Sequence, residues 1–196
     1  MRVAYPLRRL QRVGHSFLLP MPKRLKRCYG HKDLHFLTFC CYHRRPYLQT
    51  AHSKNLFLKT LAQVRAQFQF SLVGYVLMPD HVHLLLSEPA EGSVSKVLQV
   101  LKQRVSRAMR DKKRRGSPRQ LLLSFGDGSA PDRRFWQRRF YDFNVWSHAK
   151  KKEKLHYMHG NPVRERLVEH PKDWPWSNFS FYAYNEPGLI RIDHVD

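Results

Sequence analysis

The sequence predicts an α+β domain in which four antiparallel strands carry helices on their faces and a further helix closes the C-terminal part. Three observations lead there. Short stretches rich in Val, Leu, Phe and Tyr occur at residues 34–42, 73–78, 81–87 and 140–145, the composition and length of strands. Two longer stretches, about 52–69 and 93–110, carry apolar residues at helical spacing. The resulting order is strand, helix, strand, strand, helix, strand, then a terminal helix, which is the split βαβ, ferredoxin-like arrangement. RNA-recognition modules without catalysis share that layout, so it does not assign a function by itself.

Taken in order, residues 1–24 are expected to be a basic, poorly ordered arm, with Arg2, Arg8, Arg9, Arg12, Lys23 and Arg24 interrupted by Pro6, Pro20 and Pro22. The domain proper then spans 25–185. The first strand ends at Arg44-Arg45-Pro46, and the following helix shows Phe57, Leu61, Val64 and Phe68 on one face. Pro79-Asp80 is a turn-type pair between the second and third strands. Ser93 or Ser95 can cap the next helix, whose apolar stripe is Val94, Val97, Leu98, Leu101, Val105, Ala108 and Met109. Lys102, Arg107 and Arg110 lie off that stripe, on a solvated face or one that meets phosphates. Residues 111–134, with Lys112-Lys113-Arg114-Arg115-Gly116, read as a flexible basic connection. Arg138 and Arg139 introduce the fourth strand. The helix from about Ser147 should stop near Gly160, because Pro162 disfavours helical geometry at Asn161. A short helical segment at about 163–169 and the packing cluster Asp173-Trp-Pro-Trp-Ser177 follow, and residues 186–196 read as a tail.

Charge narrows the function. The 196 residues hold 36 Lys and Arg against 15 Asp and Glu, a formal net charge of +21. Such an excess calls for a polyanionic partner, nucleic acid before an acidic membrane surface. Nine Tyr, 12 Phe and four Trp supply rings on which unpaired bases can stack. Cys28, Cys40 and Cys41 lack zinc-finger or CxxC spacing and suit a reducing compartment. No apolar run reaches the ~18 residues of a membrane span, so a cytoplasmic, nucleoid-associated protein is expected.

Two places carry candidate chemistry. In His81-Val82-His83 the strand period of two puts both imidazoles on one face, where they can act as paired metal ligands. With 12 histidines in the chain, a merely solvated pair is the competing reading. Tyr157 and Asn161 are four residues apart, so they share one helix face or its end. A tyrosine hydroxyl, with an ordinary pKa near ~10, is a poor nucleophile at neutral pH. A divalent cation that polarises a phosphodiester makes its attack feasible, and the product is a covalent phosphotyrosine.

Met78-Pro-Asp-His-Val-His83, Phe135-Trp-Gln-Arg-Arg-Phe-Tyr141, Tyr157-Met-His-Gly-Asn-Pro-Val163 and Asp173-Trp-Pro-Trp-Ser177 together resemble the REP-associated tyrosine transposases. These are single-tyrosine HUH endonucleases of the IS200-like transposase superfamily. The resemblance covers roughly residues 21–182. It implies metal-dependent cleavage and strand transfer of single-stranded DNA beside a hairpin, through a 5′-phosphotyrosine and a free 3′-OH. His81 and His83 match the HUH pair, Tyr157 the nucleophile, and Asn161 the third metal ligand, where relatives often have Gln. Tyr141 is the rival tyrosine, and His156 and His159 are the alternative ligands. Mg²⁺ or Mn²⁺ is the implied metal, since two imidazoles and an amide oxygen leave positions for phosphate and water. Lys102, Arg107, Arg110, Arg138 and Arg139 are the expected DNA-binding residues. A monomer is implied rather than a homodimer. The alternative is a non-catalytic DNA- or RNA-hairpin binder derived from a transposase.

Overall fold

The computed structural model describes residues 29–31, 33–115 and 134–195, without the side chains of 111–115. The expected arm at 1–24 and most of the connection at 111–134 lie outside the described residues. The strands are β1 (Leu34–Cys40), β2 (Leu72–Leu77), β3 (His81–Ser87) and β4 (Tyr141–Val145). They form one antiparallel sheet in the order β2-β3-β1-β4. The helices are α1 (Ala51–Phe68), α2 (Val94–Arg115), α3 (His148–His159), α4 (Asn161–Arg164) and α5 (Phe179–Tyr184). This is the ferredoxin-like α+β fold that the sequence predicts.

The pleat of β1 separates two cores. Leu37 and Phe39 point to one face and pack with Phe57, Leu61 and Val64 of α1 and Leu98, Leu101 and Val105 of α2. Leu34 and Phe36 point to the other and pack with Leu155 and Met158 of α3. Val82, between the two histidines of β3, belongs to the first core, so His81 and His83 are carried on the α3 face. Gly74 of β2 lets α3 come close. A Cβ there would lie 2.9 Å from Leu155 Cδ2 and 3.4 Å from Met158 Sδ, so the helix that bears Tyr157 sits directly on backbone.

Helix ends follow side-chain capping. Thr50, Ser93 and Ser147 accept from the backbone N–H of Ser53 (3.1 Å), Lys96 (3.3 Å) and Lys150 (3.2 Å). Ser93, not Ser95, is therefore the α2 cap. The α2 helix runs to Arg115, five residues beyond its expected end at Arg110, because Lys and Arg propagate a helix well. A second correction concerns Asn161. Gly160 keeps right-handed helical angles (φ −77°, ψ −11°) and Asn161 opens α4 directly. Pro162 is tolerated in a first turn, where its missing N–H has no partner to lose. The segment expected at 163–169 thus begins at Asn161.

The Asp173-Trp-Pro-Trp-Ser177 cluster packs, as expected, and also covers the outer edge of β2. Trp176 O accepts from Leu77 N at 2.9 Å, Trp174 Nε1 donates to Leu77 O at 3.0 Å, and Ser177 bridges to Val76. Asn178 Oδ1 accepts from Tyr75 N at 2.9 Å. The edge is thereby closed to foreign strands. The predicted tail is partly core: Ile190 and Ile192 are buried, and the Asp193 carboxylate holds Arg65 at 2.5 Å and Leu72 N at 2.8 Å. Among the described residues, no helix is long and apolar enough to cross a membrane.

Candidate active site

His81 and His83 are both buried, with 4% and 2% of their surface exposed, and their Nε2 atoms are 3.1 Å apart. Each ring is fixed through its other nitrogen. His81 Nδ1 is 2.7 Å from Asp80 Oδ1, and Asp80 Oδ2 is 2.7 Å from Arg44 Nε. His83 Nδ1 is 2.8 Å from Thr38 Oγ1 on β1, and its ring stacks on Phe36 at 5.6 Å. With both Nδ1 atoms so engaged, the two Nε2 atoms converge on one point. This donor set fits a divalent cation: two ligands at ~2.1 Å and a right angle stand about 3.0 Å apart. Outer partners of this kind are what orient metal-binding imidazoles. Burial opposes the charge of Asp80, yet the hydrogen bond to His81 and the charges of His81 and Arg44 hold its carboxyl below the usual range. Burial, then the charges of His81, Arg164 and Arg44, push His83 well below its ordinary value, keeping the ring neutral as a ligand must be.

Tyr157 and Asn161 close the site from above. The Tyr157 ring meets His83 edge-on at 5.7 Å and Phe36 at 6.0 Å. Asn161 is buried, and its Nδ2 lies 2.5 Å from His83 Nε2. The turn from α3 into α4 brings the two residues together, one on each side of Gly160. Four predicted residues, His81, His83, Tyr157 and Asn161, therefore meet at one place. Arg164 joins them unpredicted. Its Nη2 donates to Asn161 Oδ1 at 2.6 Å and to the Tyr157 carbonyl, and its guanidinium lies over the Tyr157 ring at 4.4 Å. Asn161 thus turns its amide nitrogen, not its oxygen, to the histidines.

Residues 31–161 match the family described as IS200-like transposases. The chain belongs to that family. The match starts just before β1 and ends at Asn161, so it contains the histidine pair, Tyr157 and Asn161. A Haemophilus influenzae protein bearing the name REP-associated tyrosine transposase is 29% identical over 127 residues, 64% of this chain and 68% of that one. A solved structure of a REP-associated tyrosine transposase bound to a REP hairpin superposes with a TM-score of 0.64, covering 88% of this chain and 93% of the other. At 20% identity that likeness is one of fold.

In this member of the family the rival His159 is engaged by Asn178, whereas Tyr141 packs on the same Phe36 ring as Tyr157 and His83. His159 is buried, its Nε2 is 3.0 Å from Asn178 Oδ1, and burial lowers its pKa to about 4. His156 is exposed on α3. Tyr141 lies in β4 opposite Thr38, edge-on to Phe36 at 6.4 Å, with burial first and then neighbouring Tyr157, Glu153 and Asp142 raising its pKa. Of the expected DNA-binding residues, Arg107, Arg110, Arg138 and Arg139 are exposed. Lys102 is half-buried. Its ammonium donates to Gln137 O at 3.1 Å and faces the Phe39 ring at 5.2 Å, and burial lowers its pKa to about 8. It ties α2 to the strand-entry segment. Together with Arg110, Arg134, Phe135 and Trp136 it lines a cleft of about 440 Å³. Thr38, Asp80, Arg44 and Arg164 escaped the sequence reading. Only Asp80, next to His81, carried a local signal.

Proposed function

We propose that the protein is a metal-dependent endonuclease and strand-transferase that cuts single-stranded DNA next to hairpins, with Tyr157 as nucleophile. The observation that supports this most is the convergence of His81 Nε2, His83 Nε2 and the Asn161 amide beneath the Tyr157 ring. His81 and His83 would hold Mg²⁺ or Mn²⁺, joined by Asn161 once its oxygen faces them. The cation's contribution is Lewis-acid polarisation of the scissile phosphodiester. This chain's own residues supply the rest. Tyr157 Oη forms a bond to phosphorus, and the bond from phosphorus to the 3′ oxygen breaks. The phenolic proton passes to water, and the leaving 3′ oxygen takes one up. The products are a 5′-phosphotyrosine and a free 3′-OH, and reversal with a second 3′-OH transfers the strand. Arg107, Arg110, Arg138 and Arg139 bind the DNA backbone, and exposed rings offer stacking to unpaired bases. The structural neighbour is bound to a REP hairpin, which supports hairpin DNA as the partner here.

Tyr157→Phe tests the reading. The change removes one oxygen and keeps the ring in contact with Phe36 and His83. Incubation with hairpin-bearing single strands from the flanks of its own gene, in Mn²⁺, should give the wild type a protease-sensitive adduct on a denaturing gel. The adduct should be absent from Tyr157→Phe and retained in Tyr141→Phe. An adduct that survives in Tyr157→Phe and vanishes in Tyr141→Phe would move the nucleophile to β4. A wild type without any adduct would leave a hairpin-binding protein.

A further inference from the structure

The Asn161 amide is held the wrong way round for a hard cation. Its oxygen accepts from Arg164 Nη2 at 2.6 Å while its nitrogen faces His83 Nε2. An NH₂ group has no lone pair to offer a metal, whereas the carbonyl oxygen does. Rotating the amide by a half-turn would set Nδ2 against the guanidinium, donor against donor, because Arg has donors only. The amide therefore cannot turn while Arg164 stays. Arg164 is in turn held in place by the Tyr157 carbonyl and by the face of the Tyr157 ring, so one side chain touches both the nucleophile residue and the third metal-site residue. Arg164 itself is exposed, whereas His81 and His83 are buried.

We infer that Arg164 is a positioning residue that locks the Asn161 oxygen away from the two histidines and thereby sets how tightly a divalent cation binds beside Tyr157. The inference rests on the metal-dependent reading above. Release of the lock requires Arg164 to find another acceptor, and a DNA phosphodiester arriving at Tyr157 is an anion of the right chemistry. Cation and DNA would then complete the site together, and the protein alone would hold its metal weakly.

The test is a double-mutant cycle on Mn²⁺ affinity, measured by calorimetry and by electron paramagnetic resonance on the full chain without DNA. Arg164→Ala should bind Mn²⁺ about tenfold more tightly than wild type, the scale of a lost charge-assisted hydrogen bond. Asn161→Ala should be weak, and Arg164→Ala added to it should tighten binding by no more than about twofold, the general effect of removing a nearby positive charge. Equal tightening in both backgrounds, or an Arg164→Ala protein that binds no better than wild type, would overturn the lock. A second readout needs no metal. Nitrogen-15 spectra of the metal-free wild type should show His83 Nε2 accepting a hydrogen bond from the Asn161 amide, and Arg164→Ala should alter that signature. Unchanged spectra would likewise overturn the lock. If wild-type Mn²⁺ binding survives His81→Ala with His83→Ala, the metal reading has failed, and the spectra still decide whether Arg164 orients the amide.

Discussion

The sheet carries two buried histidine clusters on opposite faces, and they are built on opposite principles. On the α3 face His81 and His83 turn Nε2 to Nε2 at 3.1 Å, and both carboxylate and hydroxyl partners sit behind them on Nδ1. On the helix α1–α2 face His35 has no exposed surface and lies between acids: Nδ1 is 2.8 Å from Asp142 Oδ1 and Nε2 is 3.6 Å from Glu88 Oε1. Tyr29 stacks on its ring at 5.4 Å and points its hydroxyl to Asp142 and Ser95. In the His35 cluster carboxylates match the ring's charge on both sides, although Nε2 makes no hydrogen bond. The His81–His83 cluster turns two ring nitrogens toward one another, with the Asn161 amide beside them. The two clusters thus differ in what surrounds the inner nitrogens: a carboxylate at His35, a second imidazole and an amide at His81 and His83.

The largest expected effect comes from removing the unbalanced cluster. His81→Ala with His83→Ala should abolish the adduct and Mn²⁺ binding while leaving hairpin affinity within about threefold of wild type, since phosphate contacts lie on Lys and Arg elsewhere. A gel-shift titration beside the cleavage assay reads both, and a double variant that still cuts in Mn²⁺ would place the metal at another site. Next in size is the balanced cluster. His35→Ala strips a buried partner from Asp142 and should cost about 3 kcal/mol of stability in urea unfolding, with Mn²⁺ affinity of the folded protein unchanged. A loss under about 1 kcal/mol would mean that the two clusters do not differ as described.

Acidity separates them further. Burial disfavours the charged form of His35, but the hydrogen bond and charge of Asp142 and then those of Glu88 outweigh it, so its pKa is raised above 6.5 on folding. A raised value contributes stability that is complete below the unfolded pKa and fades as pH climbs through the folded one. The stability gap between wild type and His35→Gln should therefore be widest near about pH 6 and shrink toward about pH 9. A gap that widens with pH would reverse the assignment. The smallest effect concerns two cations on α2. Arg107→Ala should lower the log–log salt slope of single-strand binding by up to about 0.7, whereas Lys102→Ala, its ammonium already given to Gln137 O, should lower it by less. Equal changes would return Lys102 to the DNA-binding set.

Element order and strand positions were legible because each rests on local pattern, as does the shared face of His81 and His83; Tyr157 and Asn161 were singled out by their spacing of four together with the family resemblance. What was not legible is held by distant pairs. Thr38 meets His83 across 45 residues and His35 meets Asp142 across 107, and no periodicity records such pairings. The partner of Lys102 was hidden for a related reason: a helical wheel gives the direction of a side chain but not the carbonyl it reaches. Asn161 was placed beyond a helix end because Pro162 reads as a breaker, although a proline in a first turn breaks nothing.

The covering of the β2 edge has a consequence for the order in which the molecule is completed. Asn178 Oδ1 is shared between Tyr75 N on β2, 103 residues away, and His159 Nε2 at the end of α3. Closing so long a loop is entropically costly and comes late in assembly. During synthesis the brace beneath the α3–α4 turn cannot form until residue 178 has left the ribosome. A chain that has emerged only to α4 has its strands and its histidines but an unbraced α3. Docking of the α3–α4 turn is thus tied to the arrival of residue 178.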